Sequence, residues 1–147
     1  MSGDCVFCRV IAGEIPRSII YDDERVVAFL DLHPVHDGHT LVVPRAHIDD
    51  LRACPADLAG HLFAVGARLA PAIVGVTGAE GFNIWTAAGR AAGQTVFHLH
   101  LHVLPRFTGD AFGPRMPAGH PRECPRPTLD RMAERIRAAG AISPRAG

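Results

Sequence analysis

The sequence predicts an α+β fold: a five-stranded antiparallel meander sheet with one long central helix and a C-terminal helix. Three observations carry this. Five short segments are apolar or alternate apolar with polar residues, and each is bounded by turn formers. One long stretch repeats apolar residues at the three-to-four spacing of a helix face. The connections between consecutive strand segments are mostly short, which favours antiparallel neighbours. A chain of 147 residues suits one domain and buries about 70% of its unfolded surface without disulfide staples.

In chain order, "SIIYDD" and "RVVAFLDL" read as two strands with Asp22 and Asp23 near the turn between them. "HTLVVPRAH" is a third strand, entered through Asp37-Gly38 and stopped by Pro44. From Pro55 to Val76 the chain reads as a helix. Leu58, Leu62, Val65 and Leu69 line one face, Pro55 suits the first turn, and Pro71 should kink the helix or end its regular part. "GFNIWTAA" is a fourth strand and "VFHLHLHVLP" a fifth. Residues 106–127 are rich in Pro, Gly and Arg and should be irregular. "TLDRMAERIRAAG" closes the chain as a helix over about 128–139, capped by Thr128 or Asp130 and stopped by Gly140. The two helices are expected on one face of the sheet.

Composition narrows the functional classes. Hydrophobic residues make up 48% and charged residues 20%, a globular balance. The formal net charge is zero, so no broad field for nucleic acid or membrane is expected. No apolar run in the sequence reaches the length of a membrane span, and the segment "MSGDCVFCRVIAGEIP" lacks the layout of a secretory signal. The expected location is cytoplasmic, where the four cysteines would be thiols or metal ligands.

Two constellations carry chemistry. In "TVFHLHLHVLPRF" histidines stand at 98, 100 and 102, with Leu99, Leu101 and Val103 between and after them. On a strand the imidazoles share one face and the apolar residues the other. Four readings fit: hydrogen-bonded surface histidines, a catalytic His-x-His metal site, nucleophilic attack at phosphorus, or a metal-stabilised binding module. The second constellation is "CVFC". Its Cys5 and Cys8 have zinc-knuckle spacing, with unpaired cysteines and redox chemistry as the other readings. A zinc site needs two further ligands, for which His47 and His98 are the best placed histidines. Cys54 and Cys124 have no motif partner.

The run from His98 to Leu104 resembles the His-φ-His-φ-His-φ-φ signature of the histidine triad (HIT) superfamily, φ being apolar. "CVFCRVIAGEIPRSIIYDDERVVAFLDLHPVHDGHTLVVPRAHI" and "AGQTVFHLHLHVLPRFTGDAFG" are similar to its HINT-like branch, so the resemblance runs from about Asp4 to Gly113. It implies a HIT-like fold and nucleotidyl transfer or hydrolysis at the α-phosphate of purine nucleoside phosphoramidates, acyl-nucleotides or dinucleoside polyphosphates. The alternative is a nucleotide- or partner-binding member with little turnover.

By position in the motif, His100 is the expected nucleophile, and His102 the group that contacts phosphate and leaving group. His98 orients its neighbour, and His39 supports the triad from the adjacent strand. The resemblance places phosphate oxygens at Gly93, Gln94 and Thr95, the ribose hydroxyls at Asp31, and an apolar slot for the base at Val6, Phe7, Phe29 and Leu32. It makes Cys5, Cys8, His47 and His98 the ligands of a structural zinc. It also implies a homodimer through the helix from Pro55 and "GFNIWTAA". One departure stands out: Ala87 occupies the position where many relatives carry an Asn. His33, His36, His61 and His120 match no functional position and are expected at the surface, and Trp85 in the core or at a subunit interface.

Overall fold

The computed structural model describes residues 5–140. Its elements are α1 (Val6–Ala12), β1 (Ile19–Asp22), β2 (Val26–Leu30), β3 (Thr40–Pro44), α2 (Ala56–Thr77), β4 (Gly81–Trp85), β5 (Leu101–Arg106) and α3 (Arg126–Ala138). Short 3-10 turns lie at Leu51–Ala53 and Arg90–Ala92. The chain divides into two compact units after Asp110, where length alone predicts one domain. The division falls near the start of the Pro/Gly/Arg-rich segment, which holds neither helix nor strand between β5 and α3. α3 begins at Arg126 rather than Thr128, its cap is Pro125, and none of its residues is buried.

All five strands pair antiparallel, in the order β1-β2-β3-β5-β4. The order departs from a sequential meander at one point. After α2 the chain returns at the outer edge as β4 and then turns inward, so β5 lies between β3 and β4. Burial accounts for the exchange. Leu101, Val103 and Leu104 are fully enclosed, whereas β4 carries the exposed Phe82. The more apolar strand takes the inner position, where both edges are paired.

The sheet separates two cores. On one face Val26, Ala28, Val42, Leu99, Leu101 and Val103 pack against Leu58, Leu62, Val65 and Ile73 of α2. Gly66 permits this approach, since a Cβ there would lie 3.0 Å from Leu101 Cδ2. On the other face Val27, Phe29, Leu41 and Val43 pack with Phe7 and Val10 of α1. The two helices that flank the sheet, α2 and α1, therefore lie on opposite faces. α1 escapes sequence reading because its 7 residues are too few to show a period. Two features of α2 bear on the sequence reading. It continues through Pro71 to Thr77, losing one backbone donor there without ending. Among the described residues it is also the one helix long and apolar enough to cross a membrane, with a mean hydropathy of 1.4.

Candidate functional site

The histidine run enters the sheet later than its alternation predicts. β5 begins at Leu101, so only His102 lies in the strand, while His98 and His100 occupy the segment just before it. Residues 96–98 bend, and the Leu99 amide donates to the Ile48 carbonyl (2.6 Å) instead of to a strand partner. The separation of faces survives. Leu99, Leu101 and Val103 belong to the core beneath α2. The imidazoles lie with α1, where the Phe7 ring meets His100 edge-on at 5.1 Å and His98 at 5.9 Å. Thr86 fixes the middle of the run by donating to the His100 carbonyl (2.7 Å).

Hydrogen-bond partners fix the tautomer of each imidazole: Nε2–H at His98 and His102, Nδ1–H at His100. His98, 0% exposed, donates from Nε2 to the Pro44 carbonyl (2.9 Å), which leaves a lone pair on Nδ1. His100 donates from Nδ1 to the His98 carbonyl (2.7 Å), which leaves its lone pair on Nε2. For His102 the assignment passes through His39. The Val35 amide donates to His39 Nδ1 (3.3 Å), so His39 Nε2 carries hydrogen and donates to His102 Nδ1 (2.9 Å). His102 Nε2 then bears the remaining proton. The run thus presents a nucleophilic nitrogen on His100 and, one ring away at 4.9 Å, an N–H donor on His102.

Burial keeps these rings uncharged. It pushes His100 below the usual histidine range, against the opposing pull of its bond to the His98 carbonyl and of Asp31. His102 is pushed down to about 4, first by burial and then by charge on His100 and His39. His39, 3% exposed, is lowered mainly by burial. Asp31 opposes the shift with its carboxylate 3.6 Å from His39 Nδ1.

A second cluster adjoins the first. Cys5 Sγ lies 3.3 Å from His98 Nδ1, and Cys8 Sγ lies 3.3 Å from His47 Nδ1 and 3.6 Å from His98 Nδ1. A tetrahedral zinc with ordinary Zn–S and Zn–N bonds has S···N edges of about 3.6 Å. The cluster therefore has the size of a zinc cage. Its outer contacts are also suitable. His98 turns Nδ1 inward because Nε2 is engaged by Pro44, and the Asp49 carboxylate lies 3.3 Å from His47 Nε2. Cys5 caps α1, and the Cys8 amide donates to its sulfur (3.5 Å).

The other predicted positions divide. Asp31 ends half-buried after β2 and accepts from the His33 amide (2.9 Å), with further acceptor capacity free for hydroxyls. Phe7 and Phe29 are core residues stacked edge-on at 5.9 Å beneath the imidazoles. Leu32 is 82% exposed in the loop after β2. Val6 and Thr95 line a cleft of about 410 Å³ with Cys5, His47, Asp49 and Phe97. Gly93 has φ +89°, and nothing lies near its Cβ position, which leaves room for a ligand. Gln94 is engaged within its own loop. Its buried amide donates to the Asp49 (2.6 Å) and Val96 (3.1 Å) carbonyls and accepts from the Gly89 amide (2.7 Å). Its side chain orders the loop.

Ala87 is buried and adds no polar group to the site. His33 and His120 are exposed, as expected. His36 and His61 are half-buried, contrary to expectation, because carboxylates recruit them: His36 pairs with Asp110 (3.1 Å) and His61 with Asp23 (2.7 Å). Three participants escaped sequence reasoning: the Pro44 carbonyl, Asp49, and Trp85 as a neighbour of His102. The first is backbone and carries no residue signal. Asp49, two residues after His47, carries a carboxylate within reach of that ring, a spacing visible in the sequence.

The fold and site define a class: an antiparallel sheet bearing three neutral imidazoles of alternating tautomer beside a Cys2His2 cluster. Residues 12–109, two thirds of the chain, match the model of the HIT domain, and the chain belongs to that family. It is 43% identical over 111 residues to Protein hit of Bacillus subtilis, covering 75% of this chain and 77% of that one. It is 37% identical over 106 residues to Adenylylsulfatase HINT3 of Arabidopsis thaliana, covering 72% of this chain and 54% of the plant protein. A crystal structure of a HIT family protein from Bacillus anthracis superposes with a TM-score of 0.86 at 39% identity, over 97% of this chain and all of that one. A zinc-bound histidine triad family protein from Mycobacterium smegmatis superposes with a TM-score of 0.71 at 39% identity, also over 97% of this chain and all of that one.

Proposed function

We propose that this chain is a nucleotidyl hydrolase or transferase. It acts at the α-phosphate of purine nucleoside phosphoramidates, acyl-nucleotides or dinucleoside polyphosphates. The observation that carries this reading is the pair of tautomers on adjacent rings, a lone pair on His100 Nε2 and a proton on His102 Nε2. Family membership and a relative named adenylylsulfatase support nucleotide chemistry in general.

In this reading His100 Nε2 attacks the α-phosphorus and forms a phosphorus–nitrogen bond while the bond to the leaving group breaks. Neutral His102 donates a hydrogen bond to a phosphate oxygen. To release the leaving group in protonated form, His102 must carry a second proton, which the pair His39–His102 takes up from solvent as the anionic substrate binds. It gives up its Nε2 proton as the leaving group departs and becomes neutral. In the second half it takes a proton from the attacking water, which cleaves the nucleotidyl-histidine, and the extra proton returns to solvent with the product, restoring both rings. Asp31 accepts the ribose hydroxyls, and Gly93 and Thr95 sit beside the phosphate. The buried phenylalanines Phe7 and Phe29 support His100 from below.

The Cys5, Cys8, His47 and His98 cluster fits a structural zinc, with His98 bound through Nδ1 and His100 aligned by its bond to the His98 carbonyl. The zinc-bound mycobacterial relative supports the metal's identity. We also propose a homodimer across the β4 edge and α2, where Phe82 and Phe63 are exposed. Sedimentation at micromolar concentration as a dimer supports it, and as a monomer rejects it.

The test is turnover of adenosine 5′-phosphoramidate and a diadenosine polyphosphate by native protein and His100→Ala, with metal analysis alongside. Turnover that vanishes in the variant, with one zinc per chain, supports the reading. AMP binding without turnover in native protein favours the binding-only alternative, for which the missing amide at Ala87 argues. Metal retained after Cys5→Ser and Cys8→Ser would move the ion to the histidines and reject the covalent mechanism.

A further inference from the structure

Trp85, the one tryptophan of the chain, has no role in the reading above. It ends β4, and its Cα partner across the β4–β5 ladder is His102. Directly opposed residues of an antiparallel pair project to the same face. Here the two rings lie flat on one another, with centroids 4.4 Å apart and planes 7° from parallel. The indole also lies over His39, at 6.1 Å and 28°. His102 is therefore held on an edge by the His39 hydrogen bond and on a face by Trp85. The groups that meet this ring are His39 from the β3 side, His100 from its own segment and the Asp31 carboxylate through its charge.

We propose that Trp85 is a positioning residue for leaving-group departure: its indole face holds the His102 ring in one plane and stabilises that ring when it carries two protons. The inference rests on the proposed nucleotidyl transfer and adds to it a residue that touches no substrate. Two physical effects support it. A ring fixed at both edge and face can aim Nε2–H in one direction, so no orientation is lost at the transition state. An aromatic face also attracts a cation lying over it, and tryptophan does so best. His39 and His100, as imidazoles, offer His102 no anionic partner, which leaves the indole face and the more distant Asp31 to favour the protonated ring. Ala87, two residues further on, contributes no polar side chain, so the end of β4 acts on the site through the tryptophan.

The test compares two substrates in native protein, Trp85→Leu and Trp85→Phe. Adenosine 5′-phosphoramidate needs a proton on its departing nitrogen, and the p-nitrophenyl ester of AMP departs as a stable phenolate. Trp85→Leu should lower kcat on the phosphoramidate by roughly three- to thirtyfold and leave KM unchanged. On the p-nitrophenyl ester it should cost less than about twofold. Trp85→Phe, which keeps an aromatic face, should recover much of the loss and serves if the leucine variant does not fold. Histidine NMR at neutral pH gives a readout independent of turnover: the His102 ring protons should lie upfield in native protein and return downfield in Trp85→Leu. Equal losses on both substrates, no loss on either, or unmoved His102 resonances overturn the proposal. A native protein inert on both substrates defeats the nucleotidyl-transfer reading, and the proposal with it. A phosphoramidate rate that drops in His100→Ala but not in Trp85→Leu leaves that reading standing and removes this one.

Discussion

His98 and His102 stand four residues apart in one alternating run, yet their surroundings commit them to different work. At the His98 end the ring is sealed from solvent, tied by Nε2 to the Pro44 carbonyl and turned by Nδ1 toward two thiols. At the His102 end the ring is tied by Nδ1 to His39, covered by Trp85, and keeps its Nε2 proton for other use. His100 between them takes its tautomer from the His98 backbone. The lesson is that imidazole identity says little and the partner of one ring nitrogen says much. The neighbour that claims one nitrogen decides what the other can do.

The comparison can be broken from the middle outward. The largest effect belongs to His100→Ala, which removes the attacking nitrogen and should lower kcat on adenosine 5′-phosphoramidate by more than about a thousandfold, as a steady-state assay would read. Next comes His102→Ala. It should cost about a hundredfold or more in kcat while zinc content by mass spectrometry stays at one per chain. The converse holds for the double change Cys5→Ser, Cys8→Ser. Zinc should be lost and Tm should fall by several degrees, at about 2–4 °C per kcal/mol for a chain near this size, with a smaller loss of kcat than at His102. Equal behaviour of the two ends in these assays would erase the distinction between them.

Acid supplies a finer test. His39 and His102 are lower in the folded protein than the unfolded value near 6.5, His102 at about 4. The unfolded chain therefore binds more protons than the folded one between those values. Stability should be fully present above about pH 6.5, fall as pH drops toward 4, and level off below. Urea unfolding at a series of pH values measures this, and His102→Ala should flatten part of the slope. The smallest effect is expected from Thr86→Val, which removes one hydrogen bond to the His100 carbonyl. It should cost about 1 kcal/mol of stability.

Legibility followed the range over which residues interact. The five strands, α2 and α3 could be read because each repeats its pattern within itself. Leu58, Leu62 and Val65 mark α2, and Leu99, Leu101 and Val103 mark the face beneath it. The Cys5, Cys8, His47 and His98 grouping was anticipated by residue type and by family resemblance, and the folded chain brings those four together. The strand order was not readable, because whether β5 or β4 takes the inner place depends on burial summed over the whole sheet. Gln94 shows a second limit. Its place just before the histidine run is plain in the sequence, but the carbonyls of Asp49 and Val96 that its amide meets are backbone atoms and leave no mark there. Trp85 shows a third, since a cross-strand pair emerges only once the register is known.

The account depends on a covalent bond between His100 and phosphorus, and stereochemistry reads that bond most directly. A substrate made chiral at its α-phosphorus should be hydrolysed with net retention, because attack by His100 and then by water inverts the centre twice. Net inversion would mean that water attacks in a single step and would contradict the role assigned to His100.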